Sequence, residues 1–206
     1  MRDVMIAALR ASLVTWVLCG IAYPLALTGL GQFLMPPQAN GSLERSTDGT
    51  VIGSRLIGQN WNGPQWFHGR PSATTETDPN DPTKTRPAPY NAASSGASNL
   101  GPTSKDLAER LEADRKALND AQPELAGVRL PADVLTTSGS GLDPDISPAH
   151  AALQVSRVAH ARGVPAPDIE ALVMRHITGR VFGIFGEPRV NVLALNLALQ
   201  RAYPAQ

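Results

Sequence analysis

The sequence contains little of the chemistry by which many classes of protein are identified. It has one cysteine in 206 residues, which excludes an intramolecular disulfide and a metal site of several thiolates. Lys plus Arg and Asp plus Glu each total 18, so the net charge is zero and no basic excess indicates nucleic-acid binding. The four histidines form no HExxH motif and no i, i+4 pair on a predicted helix, which argues against a metal site.

Motifs for phosphate binding and for serine hydrolysis are missing as well. The chain has no GxxxxGK(S/T) loop and no GxSxG elbow. The nearest substitute is the run Ser138, Gly139, Ser140 and Gly141, whose backbone amides could form an anion-binding nest or only a flexible turn. The absence of a neighbouring lysine favours the turn. A membrane-anchored hydrolase using Ser138 or Ser140 stays open as the alternative function.

One long apolar run dominates the N-terminal part. Ala11 to Met35 are 25 residues without a charge, which as a helix would span roughly 37 Å and so cross a bilayer core of about 30 Å. The run is longer than the apolar region of a signal peptide and ends in the bulky GLGQFLMPP, so we predict an uncleaved membrane helix. Pro24 is expected to kink it.

The charges that flank the run predict its orientation. Arg2, Arg10 and the terminal amine precede it, whereas the next basic residue is Arg45. Because positive charge is retained in the cytoplasm, we expect a cytoplasmic N-terminus and an extracytoplasmic domain after Met35.

The predicted membrane helix also carries small residues spaced alternately by four and three. Such a stripe lets two helix backbones approach closely, so it predicts a helix that docks against another membrane helix. The alternative is that small residues are simply common in membrane helices. The members of the stripe are Ala8, Ser12, Thr15, Cys19, Ala22, Ala26 and Gly29.

The region 36–206 is predicted to be one mixed α+β domain after the anchor at 1–35. Val51 to Phe67 contains SRLIGQNW and QWF, which suit short strands. The proline-rich stretch 74–89 is predicted to be a long exposed loop. A helix is expected to begin near Thr103, capped with Asp106, and to end before Pro123.

The C-terminal part predicts two further helices and a strand. Ser147 is expected to cap a helix that buries Ala152, Val155 and Ala159 and stops at Gly163. A helix over 168–177 should bury Leu172, Val173 and His176. The chain then closes with a β-prone RVNVL that leads into a helical segment.

Several charged residues stand in turns and allow two interpretations. Arg70 in HGRPS and Arg189 in GEPRV could each bind an anion, although an arginine more often anchors a loop through backbone carbonyls. Asp143 and Asp145 flank Pro144 and suit the N-terminal region of the following helix.

Five segments together resemble the C subunit of the bacterial Kdp potassium-transporting ATPase. They are GSRLIGQNW, FHGRPSA, YNAASSGASNLGPT, TTSGSGLDPDISPAHAALQVSRVAHARG and GEPRVNVLALNLAL, in the order of that family, after an N-terminal span. The motif residues singled out in them are Gly69, Arg70, Pro71, Ser72, Tyr90, Asn91, Ser98, Asn99, Gly101, Pro102, Asp143, Pro144, Glu187 and Asn191.

The resemblance implies a non-catalytic subunit of a P-type potassium pump in the bacterial inner membrane. Its partners would be a channel-like potassium-translocating subunit, a subunit that hydrolyses ATP through an aspartyl phosphate, and membrane lipid. The family is also described as a catalytic chaperone that raises ATP affinity through a glutamine, which matches Gln154 here, with the run from Ser138 to Gly141 as the nearest anion nest. An extracytoplasmic domain cannot contact cytoplasmic ATP, so the predicted orientation and this contact conflict, and we favour the orientation.

A mechanism can be inferred from that orientation. The domain is expected to sit over the external mouth of the channel-like subunit, through loops 90–103 and 138–148. Gly96, Gly101 and Gly141 are expected to set the backbone geometry of these loops.

Overall fold

A computed structural model describes residues 1–46 and 48–204. Thr47, Ala205 and Gln206, which belong to the predicted domain 36–206, lie outside the described residues. The chain divides into two compact units, Met1–Ile52 and Gly53–Gln206. The predicted division at Met35 concerns where the membrane ends, and it stays a prediction.

The first unit is dominated by one continuous helical run. Helix α1 (Arg2–Val17), a π-helical turn (Leu18–Ala22) and helix α2 (Tyr23–Leu34) follow each other without a break. Together they form a run of 33 residues that is long and apolar enough to cross a membrane. None of its most apolar 18 residues is buried in the structure. The helix begins at Arg2, nine residues before the uncharged run that starts at Ala11. Charged residues can belong to a helix, so the absence of charge marks only its most apolar part.

The region before Pro24 contains a π-helical turn, where the sequence predicted a kink. Proline has no amide hydrogen, so the usual i→i−4 hydrogen bond to Gly20 cannot form. The amide of Tyr23 instead donates to the carbonyl of Leu18, five residues back. A π turn takes in about one extra residue, which rotates the rest of the helix by about 100°. The small-residue stripe is therefore split into one face before this turn and another after it.

Short elements complete the first unit. Helix α3 (Pro36–Ala39) comes directly after α2, and strands β1 (Leu43–Arg45) and β2 (Val51–Ser54) pair as a two-stranded sheet that runs past Ile52. The guanidinium of Arg45 donates to the carbonyl of Gly49 across the turn at 2.9 Å.

A hairpin occupies the stretch that the sequence predicted to be a loop. Strands β3 (Thr75–Asp78) and β4 (Asp81–Pro87) pair antiparallel, so that prediction is wrong in form although β4 is largely exposed. The Asp78 carboxylate accepts from the amide of Asn80 at 2.8 Å and tightens the turn. The predicted strand at QWF is also wrong, since Gln65–Phe67 is irregular and Phe67 is fully buried.

Four helices of ten or more residues lie in the described part of the second unit. They are α4 (Lys105–Ala121), α5 (Pro148–Arg162), α6 (Ala166–Arg175) and α7 (Val192–Ala202). The Ser147 cap and the left-handed stop at Gly163 (φ +64°) are confirmed. The cap of α4 is Ser104 rather than Thr103, and α6 begins two residues before the predicted start. The predictions that Ala152 and His176 are buried are wrong, because Ala152 is exposed and His176 is half-buried beyond the end of α6.

A small antiparallel sheet lies at the centre of the second unit. Strands β5 (Asp145–Ile146), β7 (Arg189–Asn191) and β6 (Ile177–Thr178) pair in the order β5-β7-β6. Helices α5, α6 and α7 contribute most of the buried apolar residues that pack with it. The largest fully buried members of this core include Phe67, Val158, Ile169, Val190, Leu195 and Leu199. The mixed α and β content of the prediction is confirmed.

Candidate functional site

Two buried amide side chains hold the segment Phe67–His68 from opposite helices. Gln154 of α5 accepts from the His68 amide at 2.8 Å and donates to its carbonyl at 3.0 Å. Asn196 of α7 does the same for Phe67, with both distances 2.9 Å. Each side chain satisfies a backbone amide and a carbonyl as a neighbouring β-strand would. We call Gln154 and Asn196 the amide clamp.

The residue matched to the nucleotide-contacting glutamine is thus fully engaged within the protein. Gln154 is 5% exposed, and its carbonyl oxygen also accepts from Arg157 Nη2 at 2.7 Å. A bound nucleotide could use this amide only by displacing the His68 backbone or the Arg157 guanidinium. Asn196, which is completely buried, was missed by the sequence analysis, although a lone asparagine in the apolar LNLAL stretch was the available signal.

Two arginines of α5 wrap the loop that precedes the clamped segment. Arg157 donates to the carbonyls of Pro64 at 2.7 Å and Trp66 at 3.0 Å, and burial lowers its pKa to about 10. Arg162 donates to the carbonyl of Gln65 at 3.0 Å and lies 4.5 Å from the centre of the Trp66 ring. Burial and the charge of Arg157 lower the pKa of His68, whose Nε2 lies 2.8 Å from the Gly63 carbonyl. These side chains therefore order the loop 63–68.

Arg70 anchors a loop, as the commoner of the two interpretations predicted. Its guanidinium pairs with Asp143 at 3.1 Å and donates to the carbonyl of Thr137 at 3.2 Å. Its own carbonyl accepts from the Tyr90 hydroxyl at 2.6 Å. Burial first, and the Asp143 carboxylate second, raise the pKa of Tyr90 to about 12. Gly69 permits this arrangement, because a Cβ there would collide with the Tyr90 hydroxyl.

The serine and glycine motifs are joined through Ser72 and Gly141. Ser72 Oγ donates to the Gly141 carbonyl at 2.7 Å and accepts from the Tyr90 amide at 3.0 Å. Gly141 has φ +68°, and a Cβ there would lie 2.8 Å from the Gly96 carbonyl. Gly141 therefore sets the geometry of its loop as predicted, whereas Gly96 and Gly101 have neither a positive φ nor a close neighbour.

The remaining residues of the SGSG run do not form a hydrolase centre. Ser138 is 4% exposed, and Ser140 Oγ accepts from the amide of Leu142 at 3.1 Å. In the part of the chain that the structure describes, no hydrogen bond joins either hydroxyl to a histidine ring. Gly139 has open space around its Cα. A nucleophile–base pair for acyl transfer is therefore not assembled here.

A serine, a histidine and an aspartate do meet at the start of α5, in a different order. Asp133 accepts from Ser147 Oγ at 3.0 Å and from its amide at 2.8 Å, and it lies 3.2 Å from His150 Nδ1. Burial raises the pKa of Asp133, but the hydrogen bonds from His150 and Ser147 outweigh it and lower the pKa. Because both partners contact the carboxylate and the histidine does not lie between serine and aspartate, the group caps a helix.

The other motif residues occupy turns and strand ends. Asn191 caps α7 and donates to the Asp145 carboxylate at 3.1 Å. Asn91 donates to the Thr75 carbonyl at 2.9 Å. The Pro144 carbonyl accepts from the Val192 amide at 2.9 Å. The Ser98 hydroxyl accepts a hydrogen bond from Thr137, and Glu187 is paired with Arg180. Asn99 has φ +53°, and Gly101 and Pro102 are exposed.

Six of the predicted residues meet at a cavity of about 510 Å³ between α4 and α5. They are Gly69, Arg70, Pro71, Ser72, Tyr90 and Gln154. Apart from the glycine and proline, their side chains are hydrogen-bonded to other parts of the chain. The motifs thus converge mainly to join loops 90–103 and 136–143 to loop 67–74, which Gln154 in turn joins to helix α5.

Comparisons with known proteins match nearly the whole chain. The family model for the K⁺-transporting ATPase, c chain (KdpC), matches residues 5–201. Proteins named potassium-transporting ATPase KdpC subunit are similar to this chain. That of Methylobacterium nodulans is 57% identical, over 95% of this chain and 97% of its own length. That of Bradyrhizobium diazoefficiens is 58% identical over 92% of each, and that of Rhodopseudomonas palustris 55% identical over 98% and 97%.

Proposed function

Because the chain belongs to the KdpC family of potassium-transporting ATPase subunits, we propose that it is a non-catalytic accessory subunit that stabilises the assembled pump. The observation that carries the proposal is the use of the motif side chains. Gln154, Arg70 and Ser72 line a cavity, but their polar groups are hydrogen-bonded to the chain's own backbone. These side chains stabilise the fold of the domain, which supports a structural role rather than a catalytic one.

The helical run Arg2–Leu34 supplies the attachment to the membrane subunits. Its small residues would let neighbouring helices approach closely, with Ser12 and Thr15 on one face before the π turn, Cys19 and Ala22 within the turn, and Ala26 on a second face beyond it. The shallow strip around Thr15 and Cys19 would accept the ridge of a second helix. Two faces offer contacts to two neighbours, such as the channel-like subunit and lipid or a further subunit.

The orientation that we propose has the N-terminus in the cytoplasm and the domain outside. Arg2 and Arg10 precede the uncharged part of the helix against a single acid, Asp3, which favours that direction. The domain would then stand over the external mouth of the channel-like subunit, with loops 90–103 and 138–148 as candidate contacts.

An effect on ATP affinity would have to be indirect in this arrangement. The domain and cytoplasmic ATP would lie on opposite sides of the membrane, and the amide of Gln154 is occupied by His68 and Arg157. The catalytic-chaperone role implied by the family would therefore act by stabilising the conformation of the ATP-hydrolysing subunit through the membrane subunits.

Replacement of Ala22 and Ala26 by leucine tests the attachment. The added side chains should separate the helices, so we expect the pump subunits to copurify less well with this chain. Thr28→Leu is the matched control, because two residues beyond Ala26 place it about 200° around the helix. Full recovery of the pump with the double variant, or an equal loss with Thr28→Leu, would contradict docking through this face.

A further inference from the structure

The loop between β6 and β7 presents a cluster of large apolar side chains to solvent. Phe182 is 89% exposed, Ile184 71%, Phe185 64% and Val181 48%. We call residues 181–185 the apolar loop. No charged residue lies within it, and the residues on its two sides, Arg180 and Glu187, are paired with each other. Exposed apolar clusters of this kind mark surfaces that contact another apolar phase.

The apolar loop has a defined conformation. The amide and carbonyl of Val181 exchange hydrogen bonds with Phe185 at 2.9 and 3.0 Å, and the Ile184 amide donates to the Val181 carbonyl at 3.1 Å. At the base, Arg180 Nη2 contacts both carboxylate oxygens of Glu187 at 2.8 and 2.7 Å. The backbone bonds and the ion pair hold the four apolar side chains at the end of a closed turn.

The tip of the apolar loop is strained. Phe182 has φ +54° and Gly183 has φ +74°, so an aromatic residue occupies the left-handed region at the first central position of the turn. A bulky residue rarely adopts this conformation, and such outliers concentrate at functional sites. Asparagine or glycine would fit the backbone with less strain. The aromatic ring thus occupies an unfavourable backbone position and is almost fully exposed.

We propose that the apolar loop inserts into the surface of the lipid bilayer. Aromatic and aliphatic side chains partition into the membrane interface, and the paired charges at the base of the loop can remain at the level of the headgroups. The chain's own membrane helix ends at Leu34, and 18 residues (35–52) separate it from Gly53. That segment spans at most about 65 Å. Contact with the bilayer is therefore intramolecular, which favours even a weak insertion.

The insertion can be measured by quenching on the full-length chain. In a Cys19→Ser background, Ile184→Cys would be labelled with an environment-sensitive fluorophore and reconstituted into phosphatidylcholine–phosphatidylglycerol liposomes. We expect lipids brominated on the acyl chains to quench this label. A label at Glu112→Cys, an exposed position of α4, should not be quenched.

A double variant tests whether the apolar side chains of the loop, rather than the label itself, bring position 184 into the bilayer. Asparagine tolerates the left-handed conformation at position 182. Phe182→Asn combined with Phe185→Ser should therefore abolish the quenching at position 184. Three results would overturn the proposal: no quenching at 184, equal quenching at 112, or quenching that persists in the variant. A label at 184 that is unquenched but blue-shifted only in the assembled pump would indicate a protein partner and would overturn it as well.

Discussion

Replacement of Gln154 by alanine should destabilise the domain, whatever its effect on the pump. The substitution removes half of the amide clamp and leaves the amide and carbonyl of His68 and one Arg157 nitrogen without a partner. An unsatisfied buried polar group costs about 1–3 kcal/mol. Because the adjacent cavity can admit water to part of this site, we expect a total loss of about 2–4 kcal/mol.

That loss is large beside the 5–15 kcal/mol by which a domain is usually stable. For a domain of this size, 1 kcal/mol lowers Tm by about 2–4 °C, so the variant should unfold roughly 4–16 °C below the wild type. Thermal unfolding of the full chain in nanodiscs can be followed by near-UV circular dichroism, since the rings of Trp61 and Trp66 lie 4.9 Å apart, close in sequence to the segment Phe67–His68 that the amide clamp holds. Ser156→Ala, at an exposed position of the same helix, should leave Tm unchanged.

The opposite pattern would refute the structural role of Gln154. It would consist of a wild-type Tm for Gln154→Ala together with a higher ATP requirement of the assembled pump. Such a result would mean that His68 and Arg157 release the amide to a nucleotide, and it would also count against an extracytoplasmic domain.

Two further predictions concern the SGSG loop and the orientation of the chain. Gly141→Ala should lower the free energy of unfolding by about 1–3 kcal/mol, because it places a Cβ 2.8 Å from the Gly96 carbonyl at φ +68°. Gly96→Ala, whose Cβ meets open space, should change the free energy of unfolding by less than about 0.5 kcal/mol. Equal effects of the two substitutions in urea unfolding would show that the close approach is unimportant. Cys19→Ser/Glu112→Cys should react with a membrane-impermeant maleimide in spheroplasts, and labelling only after lysis would place the domain in the cytoplasm.

Local signals in the sequence predicted several helix ends correctly. Ser147 followed by Pro148, and Gly163 at the other end, are sufficient to define α5 because each acts on the nearest turn of backbone. The same reasoning misplaced the cap of α4 by one residue, since Thr103 and Ser104 carry equivalent hydroxyls and only the backbone conformation selects between them.

Contacts between distant residues explain what the sequence did not reveal. QWF has the composition of a strand, yet Phe67 is paired with the side chain of Asn196, 129 residues away in the sequence. In the stretch 74–89 the prolines suggested a loop, but a two-stranded hairpin leaves one edge of each strand without ladder bonds, so Pro82 and Pro87 fit within β4. The first arrangement depends on a contact between distant residues, whereas the second is a local hairpin whose turn the sequence analysis overlooked.

The distribution of polar partners separates the surfaces that maintain the fold from those available to other molecules. The family motifs around α5 were candidates for a ligand site, but Arg70, Ser72 and Gln154 contact loops of the same domain. The membrane helix and the apolar loop are different, because their large side chains are exposed and have no comparable partners among the described residues. Burial of apolar surface is the main gain available to such regions. The regions that can drive association are thus suited to lipid and to other membrane proteins, which is consistent with the accessory role that we propose.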